Sequence, residues 1–297
     1  AGGTITYTLT GTNTGKTPLD VAISDDLSKV KEFAAITTAP AAAINGKAAS
    51  APAVDGSNLL TWNGTLQPGQ KVTITYTATI GEGHEGKVVN NKANSTATPP
   101  NEPPITPPEV VTEHPIPGYT FAKASDPASG TDVQAGKAIT YALTGVNTGA
   151  TVLDPVTVND DMTQVVAFAD VTTAPKAVIV KGGSETAAAA PVVTDGKLVW
   201  TGTLGIGESV KITYTVTVKA GFEGKTLHNK ADSTAKPPTT PPITPPPGET
   251  EHPIPGYTFA KKADPVSGTA VQAGKAITYT LTGVNTGATV LDPVTVN

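Results

Sequence analysis

Hydrophobic and polar residues alternate with a period of two along most of this chain, the pattern of strands that bury one face. Ile5, Tyr7 and Leu9 alternate with threonines, and Ile139, Tyr141 and Leu143 with threonine and alanine, before the turn Asn147-Thr148-Gly149. The run Val156-Thr157-Val158-Asn159-Asp160-Asp161-Met162 matches Val21-Ala22-Ile23-Ser24-Asp25-Asp26-Leu27. An alanine-rich region with turn signals at Asp55-Gly56 and Asp195-Gly196 follows. Trp200-Thr201-Gly202-Thr203-Leu204 then leads to the clearest strand, with Val210, Ile212, Tyr214, Val216 and Val218 on one face. A last strand runs from Leu227 to Ala235. Roughly seven short strands in about 120 residues predict an all-β protein of immunoglobulin-like two-sheet sandwiches.

The pattern repeats. Ala1–Tyr7 (AGGTITY) matches Ala135–Tyr141 and Ala273–Tyr279 (AGKAITY), and Gly118 to Gly256 gives a period of 138 residues. The expected organisation is an incomplete sandwich over 1–97 that lacks its first strand, a complete one over 119–235, and the N-terminal part of a third over 257–297. The chain thus reads as a window on a longer array. Proline crowds the stretches between, 98–118 and 236–256, which are expected to be linkers. Each has 21 residues, which in extended polyproline II would span about 60 Å. Both end in Glu-His-Pro-Ile-Pro-Gly, and one reading packs this end against the domain that follows.

Three polar side chains fall on faces that should be apolar. In Tyr119-Thr120-Phe121-Ala122-Lys123, alternation puts Lys123 on the face of Tyr119 and Phe121, and the run recurs with Lys261. Asp160 shares a face with Val156, Val158 and Met162, as Asp25 does with Val21, Ile23 and Leu27. Asn229 lies with Leu227 and Ala231, and Asn91 with Val89 and Ala93. Singly, each has a plain reading: a snorkelling lysine, a turn-capping aspartate, an asparagine serving a loop. Together they carry chemistry. Desolvation lowers the pKa of a buried amine and raises that of a buried carboxyl, so a free amine and a protonated acid can coexist at neutral pH. The Lys123 amine would attack the carboxamide carbon of Asn229 while Asp160 bonds its oxygen and relays protons. Ammonia leaves, and an intramolecular isopeptide bond forms in a single turnover, so no enzyme is expected.

The order lysine on the first strand, aspartate in a strand ending Asp-x-Leu/Met, and asparagine in Asn-x-Ala on the last strand resembles the isopeptide-forming domains of Gram-positive pili and surface adhesins, in particular the fimbrial D2-type. The run Trp200-x-Gly-Thr-Leu-x-x-Gly-x-x-Val-x-Ile-Thr-Tyr-Thr is similar to repeat domains of bacterial, often actinobacterial, cell-surface proteins. The resemblance implies that Lys123 and Asn229 are joined and that Asp160 is catalytic. Asp25 is its equivalent in the first repeat. Asn91 and Lys261 are cross-link residues whose partners fall outside this chain.

Composition narrows the alternatives. All 20 basic residues are lysine and the net charge is -5, which argues against nucleic acid, where arginine dominates base readout. Without cysteine there is neither a disulfide framework nor a thiolate metal site. No apolar run approaches membrane-spanning length, so no membrane insertion is expected. Asp154, Asp160 and Asp161 show no recognised calcium spacing, and His84, His114, His228 and His252 are scattered. No cofactor or metal is expected. Trp62 and Trp200 recur at one repeat position, which favours core packing over a sugar platform. The expected function is a structural stalk of an extracellular fibre or cell-surface adhesin. Its partners would be further repeats or neighbouring copies, with surface ligands bound elsewhere. The alternatives are a subunit of a self-assembling filament or surface layer, including one built by strand complementation between chains, and a carbohydrate- or protein-binding module.

Overall fold

The structure, a computed structural model, describes residues 2–297. It divides into two compact units, the first comprising the described residues up to Gly118 with Thr148–Thr151, the second Tyr119–Asn147 with Val152–Asn297.

The first unit runs β1 (Thr4–Thr12), β2 (Leu19–Asp26), α1 (Ser28–Phe33), β3 (Ala34–Ile44), β4 (Lys47–Ala48), β5 (Ala53–Val54), β6 (Leu59–Leu66), β7 (Lys71–Ile80), β8 (Val88–Thr98) and β9 (Val110–Pro115). One sheet has the order β1-β7-β3-β4, the other β5-β6-β2-β8-β9. The predicted alternation appears as burial: along β7, Val72, Ile74, Tyr76 and Ala78 are buried and the residues between them are not. All pairings are antiparallel, so short turns suffice to join most neighbours.

The second unit repeats the plan with one strand more. It runs β10 (Tyr119–Asp126), β11 (Ala138–Asn147), β12 (Leu153–Asp161), α2 (Thr163–Phe168), β13 (Ala169–Lys181), β14 (Ser184–Ala187), β15 (Val192–Thr194), β16 (Lys197–Leu204), β17 (Glu208–Val218), β18 (Thr226–Ala235) and β19 (Gly248–Pro253), then β20 (Tyr257–Asp264) and β21 (Thr278–Asn285). Its sheets are β10-β11-β17-β13-β14 and β15-β16-β12-β18-β19. The expected all-β sandwich architecture is therefore observed. β20 and β21 form a two-stranded sheet. The structural counterpart of β11 in the first unit is β1, which stands at the edge of its sheet.

The tryptophans are core residues. Trp62 and Trp200 are 2% and 3% exposed and donate from Nε1 to Ser50 O (3.0 Å) and Ala189 O (3.1 Å). The indole folds back over the glycine two residues on: a Cβ at Gly202 would meet Trp200 Cζ2 at 2.5 Å. That contact explains the Trp-x-Gly spacing.

The proline-rich stretches differ from the expected free spacers. β9 pairs antiparallel with β8, and β19 with β18, each extending the sheet of the sandwich before it. Ala97 bridges Ile105, and Ala235 bridges Ile243, nearer the start of each stretch. Thr250 and His252 are buried between the exposed Glu249 and Glu251. The alternation of a strand was therefore present, obscured by the flanking prolines. The shared Glu-His-Pro-Ile-Pro end also packs backwards: Ile116 belongs to the core of the first sandwich and Ile254 to that of the second.

Candidate cross-linking site

Between the two sheets of the second sandwich lies a line of four polar side chains. β10 is an edge strand, and the pairing of Lys123 with Leu143 turns the lysine inward. β12 and β18 are neighbours in the opposite sheet, with Asp160 opposite Ala231. Asn229, two residues from Ala231, therefore shares the inward face with Asp160. The structure thus brings Lys123, Asp160 and Asn229 to one place.

Lys123 Nζ lies 2.7 Å from Asp160 Oδ1, with both side chains 0% exposed. The other carboxyl oxygen, Asp160 Oδ2, accepts from the Tyr214 hydroxyl at 2.6 Å. That hydroxyl accepts in turn from Asn229 Nδ2, also at 2.6 Å. Asn229 Oδ1 is buried without a hydrogen-bond partner among the described residues. The lysine also sits over the Tyr141 ring, 5.1 Å from its centroid, and Tyr141 packs against Tyr214 with centroids 5.1 Å apart. Two tyrosines thus form an aromatic wall, one of them wired into the polar line.

One detail departs from the sequence expectation. Asp160 was expected to bond the carboxamide oxygen of Asn229, but Tyr214 stands between them. The signal for Tyr214 was available: a tyrosine in an otherwise aliphatic buried face needs a partner for its hydroxyl. It recurs as Tyr76 in the first unit.

Burial dominates the electrostatics. It pushes the Lys123 amine below the usual lysine range, while the nearby Asp160 charge and hydrogen bond pull it back only in part. Burial, followed by the Asp160 charge, pushes the Tyr214 phenol well above its ordinary value, so this hydroxyl keeps its proton as a donor. An ion pair of this kind is costly to assemble and worse to break, since removal of one partner strands the other at about 3–5 kcal/mol.

A strand lid closes the site. β19 pairs with β18 and lies across β10. His252 on this lid is fully buried, with Nε2 3.0 Å from Ser125 Oγ on β10 and Nδ1 3.1 Å from Thr131 O. Burial pushes its pKa down. This histidine was expected merely to lie in a linker.

The first sandwich holds the same arrangement without the amine. Asp25 is 0% exposed, and its Oδ2 accepts from Tyr76 at 2.7 Å. Asn91 Nδ2 donates to the Tyr76 hydroxyl at 3.1 Å. Asp25 Oδ1, the counterpart of the oxygen that Lys123 occupies in the second sandwich, has no partner among the described residues. Burial accordingly raises the Asp25 pKa. Tyr7, stacked on Tyr76 with centroids 4.9 Å apart, is pushed up to about 12. Lys261 is elsewhere: it is exposed on β20, with Nζ 4.8 Å from the Tyr279 ring centroid. The outward Asp161 accepts from Thr163 N and Oγ1, at 3.1 and 2.6 Å. Asp154 accepts from Thr203 at 2.9 Å.

Comparison with known proteins adds the following. The fold is similar to the C-terminal domain of the AgI/II polypeptide BspA from Streptococcus agalactiae, with TM-score 0.44 and 12% identity over 84% of this chain and 93% of that one. It is similar to BcpA, the major pilin subunit of Bacillus cereus, with TM-score 0.37 and 11% identity over 93% and 85%. Domains D2 and D3 of the major pilin SpaD from Corynebacterium diphtheriae give TM-score 0.32 and 17% identity over 48% and 54%. No curated protein sequence matches the chain. A domain of unknown function, DUF7927, matches residues 1–116 and again 118–254, one copy for each sandwich with its returning strand. Two copies that together span most of the sequence make this chain a member of the DUF7927 family.

Proposed function

We propose that this chain is a load-bearing stalk segment of an extracellular fibre or cell-surface adhesin, and that its sandwiches close themselves with a lysine-asparagine isopeptide bond. The observation that carries the reading is the buried line Lys123–Asp160–Tyr214–Asn229. A lysine with a lowered pKa, held by a carboxyl group and set in a dry core beside a carboxamide, has little structural purpose and an evident chemical one.

The step balances without a cofactor or metal. From the ion pair, Lys123 Nζ gives one proton to Asp160 Oδ1 and attacks Asn229 Cγ as the neutral amine, forming the new C–N bond; its second proton goes to Asp160 once that group has passed the first one on. Protonated Asp160 passes a proton through the Tyr214 hydroxyl to Asn229 Nδ2. The old C–N bond breaks and Nδ2 leaves as ammonia. Tyr214 serves as a proton conduit to the leaving nitrogen, which it already contacts. Asp25 would play the role of Asp160 in the first sandwich, with Asn91 as its electrophile. Each site turns over once, so the protein is a substrate of its own chemistry and not an enzyme.

The consequence is mechanical. A bond from Lys123 to Asn229 closes a loop of 106 residues; for a disulfide closing a loop this long, the chain-entropy model gives about 4–5 kcal/mol. It also joins β10, through which the chain enters the sandwich, to β18, the strand that precedes the returning β19. A pull along the chain then passes through the covalent link and bypasses the strands between. A chain with no cysteine gains a staple that needs no oxidant, as suits a surface or cell-wall location.

The test is the intact mass of the purified chain, followed by peptide mapping. A loss of ammonia, with the Lys123 and Asn229 peptides joined and the loss abolished in Asp160→Ala, supports the reading. An unmodified mass overturns it.

A further inference from the structure

Two buried oxygens of the second sandwich lack a hydrogen-bond partner among the described residues and belong to facing residues of one ladder. They are Asn229 Oδ1 and Thr250 Oγ1. β18 and β19 pair antiparallel with Asn229 opposite Thr250, so both side chains leave the sheet on the same face. Asn229 and Thr250 are 2% and 4% exposed, which makes that face the inner one. Opposite residues hold their Cβ atoms about 4.5–5.5 Å apart. A threonine hydroxyl at that separation is within reach of a carboxamide oxygen.

The carboxamide is oriented from its other side. The Tyr214 hydroxyl spends its one proton on Asp160 Oδ2 at 2.6 Å. Toward Asn229 it can therefore only accept, and it does so from Nδ2 at 2.6 Å. Oδ1 is turned away from this contact. Asp160 and Tyr214 thus handle protons at the two nitrogens, and neither supplies a donor to the oxygen.

That oxygen needs one. When Lys123 Nζ adds to Asn229 Cγ, the second electron pair of the C=O bond moves onto Oδ1. Charge then develops in a core that excludes water, where a positioned donor counts for most. The hydroxyls nearby are few. Ser233 on β18 is engaged, donating to Thr157 O at 2.7 Å with Tyr119 at 2.6 Å. The Tyr141 hydroxyl is spare, but it stands in the opposite sheet, on the ring over which Lys123 lies. Thr250 is on the strand beside Asn229 and directly across from it.

We propose that Thr250 is the oxyanion donor of the cross-linking reaction, its hydroxyl bonding Asn229 Oδ1 as the tetrahedral intermediate forms. The inference rests on the self-cross-linking chemistry proposed above. No proton is transferred in this contact. The bond from Nζ to Cγ forms, the pair on Oδ1 returns to restore C=O, and the bond from Cγ to Nδ2 breaks as ammonia leaves. Catalytic hydrogen bonds commonly tighten only as the charge appears.

A valine would fill the same space without burying an unpaired hydroxyl, which is costly. Threonine nevertheless recurs opposite the asparagine in the first sandwich, as Thr112 across from Asn91, although the same two strands differ at Gly248 and Val110. Thr250 also lies in the proline-rich stretch that follows the sandwich. The site is therefore incomplete until β19 has docked, and the staple is set only after that stretch returns.

The experiment makes the full chain by cell-free translation, stops samples in denaturant at intervals and measures the joined Lys123–Asn229 peptide by mass. Thr250→Val should slow the joining about a hundredfold or more, equally at every pH, because the ionisation of the amine is untouched. Thr250→Ser, which restores the hydroxyl, should recover the rate to within a few-fold. Hydrogen exchange at β19 should be the same with threonine or valine at 250 in an Asn229→Ala background, where neither chain can cross-link. A valine variant as fast as the parent, a serine variant as slow as valine, or a shifted pH midpoint overturns the inference. Slowing that comes with lost protection of β19 also overturns it, since Thr250 would then act by packing. A parent that joins Lys123 to Asn229 with no effect of Thr250→Val rejects this inference alone, and a parent that never loses ammonia rejects the chemistry beneath it.

Discussion

Gly248 lies against Lys123 so closely that a Cβ added to the glycine would fall 2.5 Å from the lysine Cβ and 2.9 Å from its backbone nitrogen. The returning strand β19 is therefore the lid of the site, and its closure depends on a missing side chain. In Gly248→Val, either β19 lifts or β10 shifts outward. The expected cost is about 1–3 kcal/mol of stability, the usual range for overpacking, with slower loss of ammonia. Urea unfolding and a mass time course check both. A fully cross-linked variant with an unchanged midpoint would mean that β19 yields without effect on the site.

Tyr214→Phe removes one oxygen and keeps the ring. It strands Asp160 Oδ2 and Asn229 Nδ2, at about 1–3 kcal/mol for buried groups left unpaired. It also cuts the proton path to the leaving nitrogen. Cross-linking should slow by orders of magnitude while the sandwich still folds. Tyr141→Phe is the control, because the Tyr141 hydroxyl is buried without a partner among the described residues. Its rate should stay within a few-fold of the parent. Equal rates for both variants would remove Tyr214 from the mechanism.

The cross-link should form faster as pH rises. Attack needs the neutral amine, and burial holds the Lys123 pKa below the ordinary lysine value of 10.5. The rate should therefore climb through the depressed pKa and level off before the ordinary lysine range. The effect on stability has the same sense. The unfolded state binds the lysine proton more tightly, so the penalty for burying Lys123 is largest below its folded pKa and shrinks as pH rises towards 10.5. Mass spectrometry of refolding protein across pH 5–10 gives the profile, and a rate that falls with pH would contradict the assignment.

The strands and the inward residues were legible because a period of two assigns each side chain to a face whatever the partner strand is. Lys123, Asp160 and Asn229 could be picked out in this way, since each interrupts an apolar face. Tyr214 escaped notice because it satisfies the same pattern that marks a core residue, and only its hydroxyl partners distinguish it. The returning strands β9 and β19 were hidden for a different reason. Their prolines dominate the composition, while the pairing depends on the residues between, such as Thr250 and His252.

His252 offers a way to open the lid by acid. It is buried beside Tyr141, with ring centroids 6.3 Å apart, and bridges Ser125 on β10 to the Thr131 carbonyl. The neutral ring suits both contacts: Nδ1–H donates to the carbonyl, and Nε2 accepts from the serine hydroxyl. Burial lowers its pKa from 6.5, with the Thr131 hydrogen bond and the Glu251 charge opposing only in part. The unfolded or opened lid thus takes up a proton at higher pH than the closed one. Closure is at full strength above pH 6.5 and weakens as pH falls from 6.5 towards the depressed value, by at most about 1.4 kcal/mol per pH unit. Native-state hydrogen exchange at β19, corrected for the intrinsic pH dependence, should show easier opening at pH 5.5 than at pH 7.5. His252→Gln should flatten that difference, and a lid equally protected at both pH values in the parent would show that the histidine does not control closure.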